Sequence, residues 1–198
     1  MTKTARIQKG FTLVELLVVI AIIAILAAVV GVALDPIELT RRGRDATRLS
    51  DLGSLQSAIA VLAQEKASVQ DLYCDGVAPS PACTGGPFAS NGETGSGTDL
   101  TNATAVDGSG WVRVDFTGQT VISITALPKD PTNTSGCSTP ADDCLIYRYN
   151  GNASGYEIDT YLESNQYNTK MVNDGGDSNT VGGDILYEVG TVTGLTLL

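Results

Sequence analysis

Glu15 is the only ionisable side chain in the 24 residues from Phe11 to Leu34 (FTLVELLVVIAIIAILAAVVGVAL), which are otherwise apolar apart from Thr12 and Gly31. A carboxylate inside such a run costs about 2.5 to 3.5 kcal/mol on membrane-insertion scales, so it is expected to have a function and a partner. The run follows directly on Lys9-Gly10. At about 1.5 Å of rise per residue a helix of this length covers roughly 36 Å, more than the roughly 30 Å of a hydrocarbon core. The other residues with reactive potential are four cysteines, Cys74, Cys83, Cys137 and Cys144, and a set of acids in a glycine-rich tail; there is no histidine.

The absent types exclude much. Without histidine, a nucleophile elbow or a motif that pairs carboxylates on a recognisable scaffold, no catalytic constellation is present, and the chain reads as a non-enzyme. Gly92-Glu93-Thr94-Gly95-Ser96-Gly97 looks like a phosphate-cradling loop but lacks the Gly-Lys-Ser/Thr ending, so it reads as a solvent loop. No C-x-x-C spacing accompanies the cysteines, which argues against zinc. In an exported chain they point instead to disulfides. Their order permits three pairings; the two local ones, Cys74 with Cys83 and Cys137 with Cys144, are favoured because each closes a loop dense in proline, glycine, serine and threonine.

Two bland readings of the apolar run compete with a functional one. A secretory signal peptide has an apolar core of about 7 to 15 residues, shorter than this run, although Gly31-Val32-Ala33 could pass for its cleavage site. A plain single-pass anchor would let Glu15 reach back to the interface. Neither explains why glycine, phenylalanine and glutamate stand at these spacings.

The stretch Lys9-Gly10-Phe11-Thr12-Leu13-Val14-Glu15-Leu16-Leu17 resembles the type IV pilin and pseudopilin family. The resemblance implies that a membrane peptidase cuts after Gly10 and N-methylates the new amino terminus on Phe11. It also implies a fold: a long bent helix whose second half packs on a small sheet. The processed Phe11 would carry a cationic amine one helical turn from the Glu15 anion, and a neighbouring subunit shifted along a fibre axis can offer that amine to this carboxylate. A buried charge neutralised only by a partner sets register, because misdocked copies leave it unpaired. Leu127-Pro128-Lys129-Asp130-Pro131 and Tyr147-x-Tyr149 resemble a connection in major pseudopilins and many pilins. Those pseudopilins often carry calcium; Asp174, Asp177 and Asp184 are the weak candidates here, without the spacing of an EF-hand loop, and no cofactor is expected.

Charge sets orientation. Lys3, Arg6 and Lys9 precede the run with no acid among them, which keeps residues 1–10 cytoplasmic and exports the rest. The chain carries a formal charge of -10, and from Asp71 onward there are 16 acids against Arg113, Lys129, Arg148 and Lys170. Such a surface repels phosphate, so direct nucleic-acid binding is not expected. Four arginines, Arg41, Arg42, Arg44 and Arg48, follow the run; Glu38 with Arg42 and Arg41 with Asp45 have i, i+4 spacing. They read as a salt-bridged helix face that meets neighbouring subunits, with lipid headgroups as the alternative.

Beyond the run, Pro36 predicts a kink near residues 34–37. Leu52, Leu55, Ile59 and Leu62 then repeat at helical spacing. Strand patterns fall at Trp111 to Phe116, Val121 to Ile124, Leu145 to Tyr149 and Tyr156 to Leu162, giving an antiparallel sheet of about four strands covered by the helix. Asn102, Asn133 and Asn152 head glycosylation tripeptides of little weight. The organisation expected is a leader over residues 1–10, a transmembrane and filament-core helix over 11–34, an amphipathic helix half over 35–68, a polar connecting loop over 69–110 and a β-sheet head over 111–198: an α+β chain of the type IV pilin fold. The function expected is that of a prepilin polymerising with copies of itself, served by the prepilin peptidase and an inner-membrane assembly platform, and held in lipid before assembly. A pseudopilin of type II secretion, in the periplasm, and a membrane-tethered extracellular binding domain are the alternatives.

Overall fold

The computed structural model describes residues 10–33, 35–66, 72–74, 83, 86–95, 100–117, 124–152, 155–172, 174 and 186–191. The chain divides into two compact units, Met1–Leu39 and Thr40–Leu198. Helix α1, Leu13–Ala33, fills most of the first. Its N-cap is Thr12, whose hydroxyl oxygen accepts the Glu15 amide at 3.3 Å, a role suited to a short side chain with a free acceptor.

Helix α2 runs Pro36–Glu65. Asp35 caps it, its Oδ1 accepting the amides of Ile37 at 3.0 Å and Glu38 at 3.2 Å. Pro36 thus opens a helix, the first helical position being one where a missing donor is harmless. The interruption that proline signals is a cap and restart between Ala33 and Pro36.

In the second unit four antiparallel strands lie in chain order: β1 Phe88–Ala89, β2 Tyr147–Asn152, β3 Gly155–Thr160 and β4 Tyr187–Gly190. The β2–β3 hairpin pairs Tyr147 with Thr160 and Tyr149 with Ile158, and β4 places Val189 beside Ile158. One face carries Phe88, Tyr149, Tyr156, Ile158 and Val189, which pack with Leu52, Leu55, Ile59 and Leu62 of α2 in a single core. Burying each such side chain is worth about 1.5 to 3 kcal/mol, so this stripe fixes α2 to the sheet. The opposite face carries Arg148, Asn150, Glu157, Asp159 and Glu188, also buried, with the Arg148 guanidinium on the Asp159 carboxylate. A short helix, α3, spans Asn168–Val172.

One of the expected strands is not where the pattern put it. Trp111 to Phe116 is no strand: Trp111, Val112, Val114 and Phe116 are buried in the core, but the Trp111 and Phe116 amides go to the carbonyls of Ala103 and Val106. The alternation of Val112, Val114 and Phe116 reports an inward face, which a packed irregular segment shows as well as a ladder does. Gly110 allows the close turn beside it, since a Cβ there would collide with the Ala105 carbonyl oxygen. The partner strand expected at 121–124 lies mostly outside the described residues, and Ile124 is in no strand. Sheet edges are supplied by β1, inside the stretch expected to be a polar connection, and by β4.

Cys74 is bonded to Cys83 and Cys137 to Cys144. The first bridge sits in the main core; beside it the Cys83 amide reaches the Gly151 carbonyl and the Tyr149 hydroxyl donates to the Tyr73 carbonyl, both at 2.7 Å. The second closes a loop that Asn91 ties down by donating to the carbonyls of Thr134 and Cys137.

Candidate functional site

The amino-terminal segment gathers Gly10, Phe11 and Glu15 at one helix end. Gly10 is exposed, with open space where a Cβ would stand. Phe11 is 84 % exposed. Glu15 is exposed in the first turn of α1, where the partial positive charge of the helix terminus favours an anion. Thr12-Leu13-Val14-Glu15 has the spacing of a capping box, and its threonine half is formed. The T-x-x-E spacing is the sign in the sequence that Glu15, besides being a charge in need of a partner, stands at a helix start.

Past Glu15, every side chain described on α1 is exposed, from Leu16 to Val30. Residues Leu13–Gly31 are long and apolar enough to cross a membrane, and none of that window is buried within the chain. An apolar helix with no cover of its own is covered by lipid or by other helices.

In the second unit the arginines divide by direction. Arg48 is wholly buried and receives three carboxylates: its Nη1 donates to Asp45 and to Glu163, each at 2.7 Å, and its Nε and Nη2 hold both oxygens of Asp130. Arg44 forks onto Glu163 through Nε and Nη2 at 2.7 and 2.6 Å. Asp45 does not serve Arg41, the i, i+4 partner its spacing suggested; its oxygens also accept the amides of Glu163 and Ser164. Asp130 accepts the Thr132 and Asn133 amides as well. The left-handed Asn133, with φ of 48°, is steadied by Ser90, whose hydroxyl donates to its Oδ1. Each carboxylate therefore bridges α2 to a loop of the head.

These charges bias one another. Burial opposes the Arg48 charge, yet the hydrogen bonds and proximity of Asp130, with those of Glu163 and Asp45, hold its pKa above the ordinary arginine value. Burial likewise opposes the Glu163 anion, but donation from Arg44 and Arg48 wins and its pKa sits below the usual carboxylate range. Asp159 goes the other way: burial outweighs Arg148 and raises it. Asp51, which accepts the Tyr147 hydroxyl at 2.9 Å, is also raised by burial.

Among the described residues no group of three histidine, cysteine or acidic side chains is placed to hold a metal ion. One oxygen of Asp174 accepts the Glu188 amide at 2.8 Å; Asp177 and Asp184 lie outside the described residues.

Residues 5–31 match the prokaryotic N-terminal methylation motif, the signature of type IV pilins and pseudopilins. No curated protein and no solved structure matches the chain.

Proposed function

We propose that this chain is a prepilin: held in the membrane by α1, cut after Gly10, N-methylated on Phe11, and polymerised through α1 into a type IV pilus-like surface filament. The observation that carries this reading is Glu15 in the first turn of an apolar helix whose described side chains are all exposed, directly after Gly10-Phe11. Removing residues 1–10 would leave an amine on Phe11 beside that anion, and the same two groups on the next copy would complete the pair. A contact of this head-to-tail kind, repeated without closing, builds an open helical filament. The prepilin peptidase and an inner-membrane assembly platform are the partners this sequence of events needs. The role is structural, in keeping with a methylation motif that marks assembly subunits.

The long polar loops and the two disulfides favour a surface filament. Leu127 to Pro131, which resembles a pseudopilin connection, supports a periplasmic pseudopilus of a type II secretion system as the second reading. Expression of the full chain with and without a prepilin peptidase, followed by electron microscopy of sheared material and of the periplasmic fraction, tests both. Sheared fibres containing the chain only when the peptidase is present are expected. A chain that stays uncut in the membrane while the peptidase is active would favour a membrane-tethered binding domain and overturn the proposal.

A further inference from the structure

An open groove of about 610 Å³ lies between α2 and the loop that leads to Asp130. Among the described residues its lining includes Asp51, Ser54, Ala58 and Val61 on α2 and Ala126 and Pro128 opposite. Ser54 and its neighbour Ser57 spend their hydroxyls on the carbonyls of Ser50 and Gly53, each at 2.8 Å, so they offer carbon to the groove. Asp51 is the one charged group along it among the described residues. The Tyr147 hydroxyl donates to its Oδ2, and no described cation forms an ion pair with it. Burial, joined by the nearby Asp130 charge, raises its pKa against the Tyr147 bond. A half-buried carboxylate in such surroundings is stabilised as an anion by a cation from outside the chain.

Arg41 is the cation that the same helix leaves over. It is exposed, and Asp45, four residues on, is held by Arg48 and by the amides of Glu163 and Ser164. Arg42 and Glu38 each hold an interaction within the chain, and Arg44 and Arg48 lie on the carboxylates that join α2 to the head. Arg41 and Asp51 both stand on α2, about 15 Å apart along its axis and about 80° apart around it, too far to meet within one copy. Between parallel copies one face would give the cation and another the anion. A contact of that heterologous kind, with an axial shift, cannot close into a ring. We propose that the groove at Asp51 receives Arg41 of a second copy, parallel to the first and shifted along α2 by about 15 Å, with the guanidinium on Asp51 Oδ1 and the aliphatic stem on the apolar wall. This rests on the polymerisation reading and deepens it, adding to the Phe11 and Glu15 pair a second contact that sets register.

Charge reversal in the full chain, expressed with a prepilin peptidase and read as fibre yield in sheared material, tests this. Arg41→Asp and Asp51→Arg should each still be cut but lose their fibres, and the two together should restore them. Because Asp51→Arg also removes the acceptor of the Tyr147 hydroxyl, a second measurement stands beside it. In fibres of Arg41→Lys assembled from light and isotope-labelled copies, a carbodiimide should join position 41 of one copy to Asp51 of another, and mass spectrometry should find that mixed peptide pair. Lys129→Gln with Lys170→Gln, which removes the other exposed lysines of the described head, should leave fibre yield unchanged. Normal fibres from Arg41→Asp, or Arg41→Lys fibres without the cross-link, overturn the proposal, as does a loss in the lysine variant equal to that in Arg41→Asp. A wild type that is cut yet forms no fibres would overturn polymerisation and this contact together.

Discussion

Arg48 and Asp130, 82 residues apart in the chain, form a two-point ion pair with neither side chain exposed: Nε lies 2.6 Å from one carboxylate oxygen and Nη2 3.0 Å from the other. Asp130 is also the acceptor that shapes the turn at Thr132 and Asn133. One bond thus fixes a helix and a loop together.

Arg48→Ala should cost about 3 to 5 kcal/mol, because it leaves Asp130 and Asp45 buried without their cation. Arg48→Lys should lie between, since an ammonium cannot hold both Asp130 oxygens. Denaturant unfolding of the detergent-solubilised chain measures this. A loss below about 1 kcal/mol, the value typical of an exposed pair, would contradict the burial of the network.

Acid should weaken the junction in a defined window. The Glu163 pKa is depressed in the fold, so as pH falls below its unfolded value of about 4.3 the unfolded chain takes up a proton that the folded chain refuses. Stability present above that pH is lost as the folded pKa is approached. Asp159 and Asp51, raised by burial, act with the opposite sign, so the informative quantity is the difference between wild type and Glu163→Gln. The wild type should be the more stable at pH 7, with the gap shrinking from pH 5 to pH 3; a constant or widening gap would refute this origin.

How much of this was legible differs by residue. The stripe Leu52, Leu55, Ile59, Leu62 and the hairpin from Tyr147 to Thr160 announce themselves, because a period and a turn are local signals. Phe88–Ala89 is too short to show a period and is a strand only because Tyr149 and Arg148 stand beside it. Tyr187–Gly190 is hidden by glycine-rich flanks. At Trp111 to Phe116 the alternation was real but meant burial. The arginines misled for a related reason: Asp45 four residues from Arg41 is a local pattern, whereas the carboxylates that claim Arg48 lie three, 82 and 115 residues away. The amino-terminal segment was the most readable part, since its composition and order sit within one helix end.

The two disulfides should contribute unequally. Loops with separations of 9 and 7 each restrict the unfolded chain by about 2.5 kcal/mol in the loop-entropy treatment. Cys74 and Cys83 also pack in the main core while Cys144 sits in a small satellite cluster. Replacing Cys74 and Cys83 by alanine should therefore lower the unfolding midpoint more than replacing Cys137 and Cys144. Equal or reversed losses would show that loop closure outweighs core packing here.

Glu15→Ala should separate processing from assembly. Glu15 lies outside the proposed cut between Gly10 and Phe11, so leader removal should persist, while the amine of Phe11 on a neighbouring copy would lose its anion and filaments should disappear. Abundant normal fibres from this variant would refute the pairing.

The central claim is decided by the amino terminus of the chain within fibres. Mass spectrometry of sheared filaments should find the chain beginning at an N-methylated Phe11, without residues 1–10. Fibres built from chains that still begin at Met1, or processed at another bond, would contradict it.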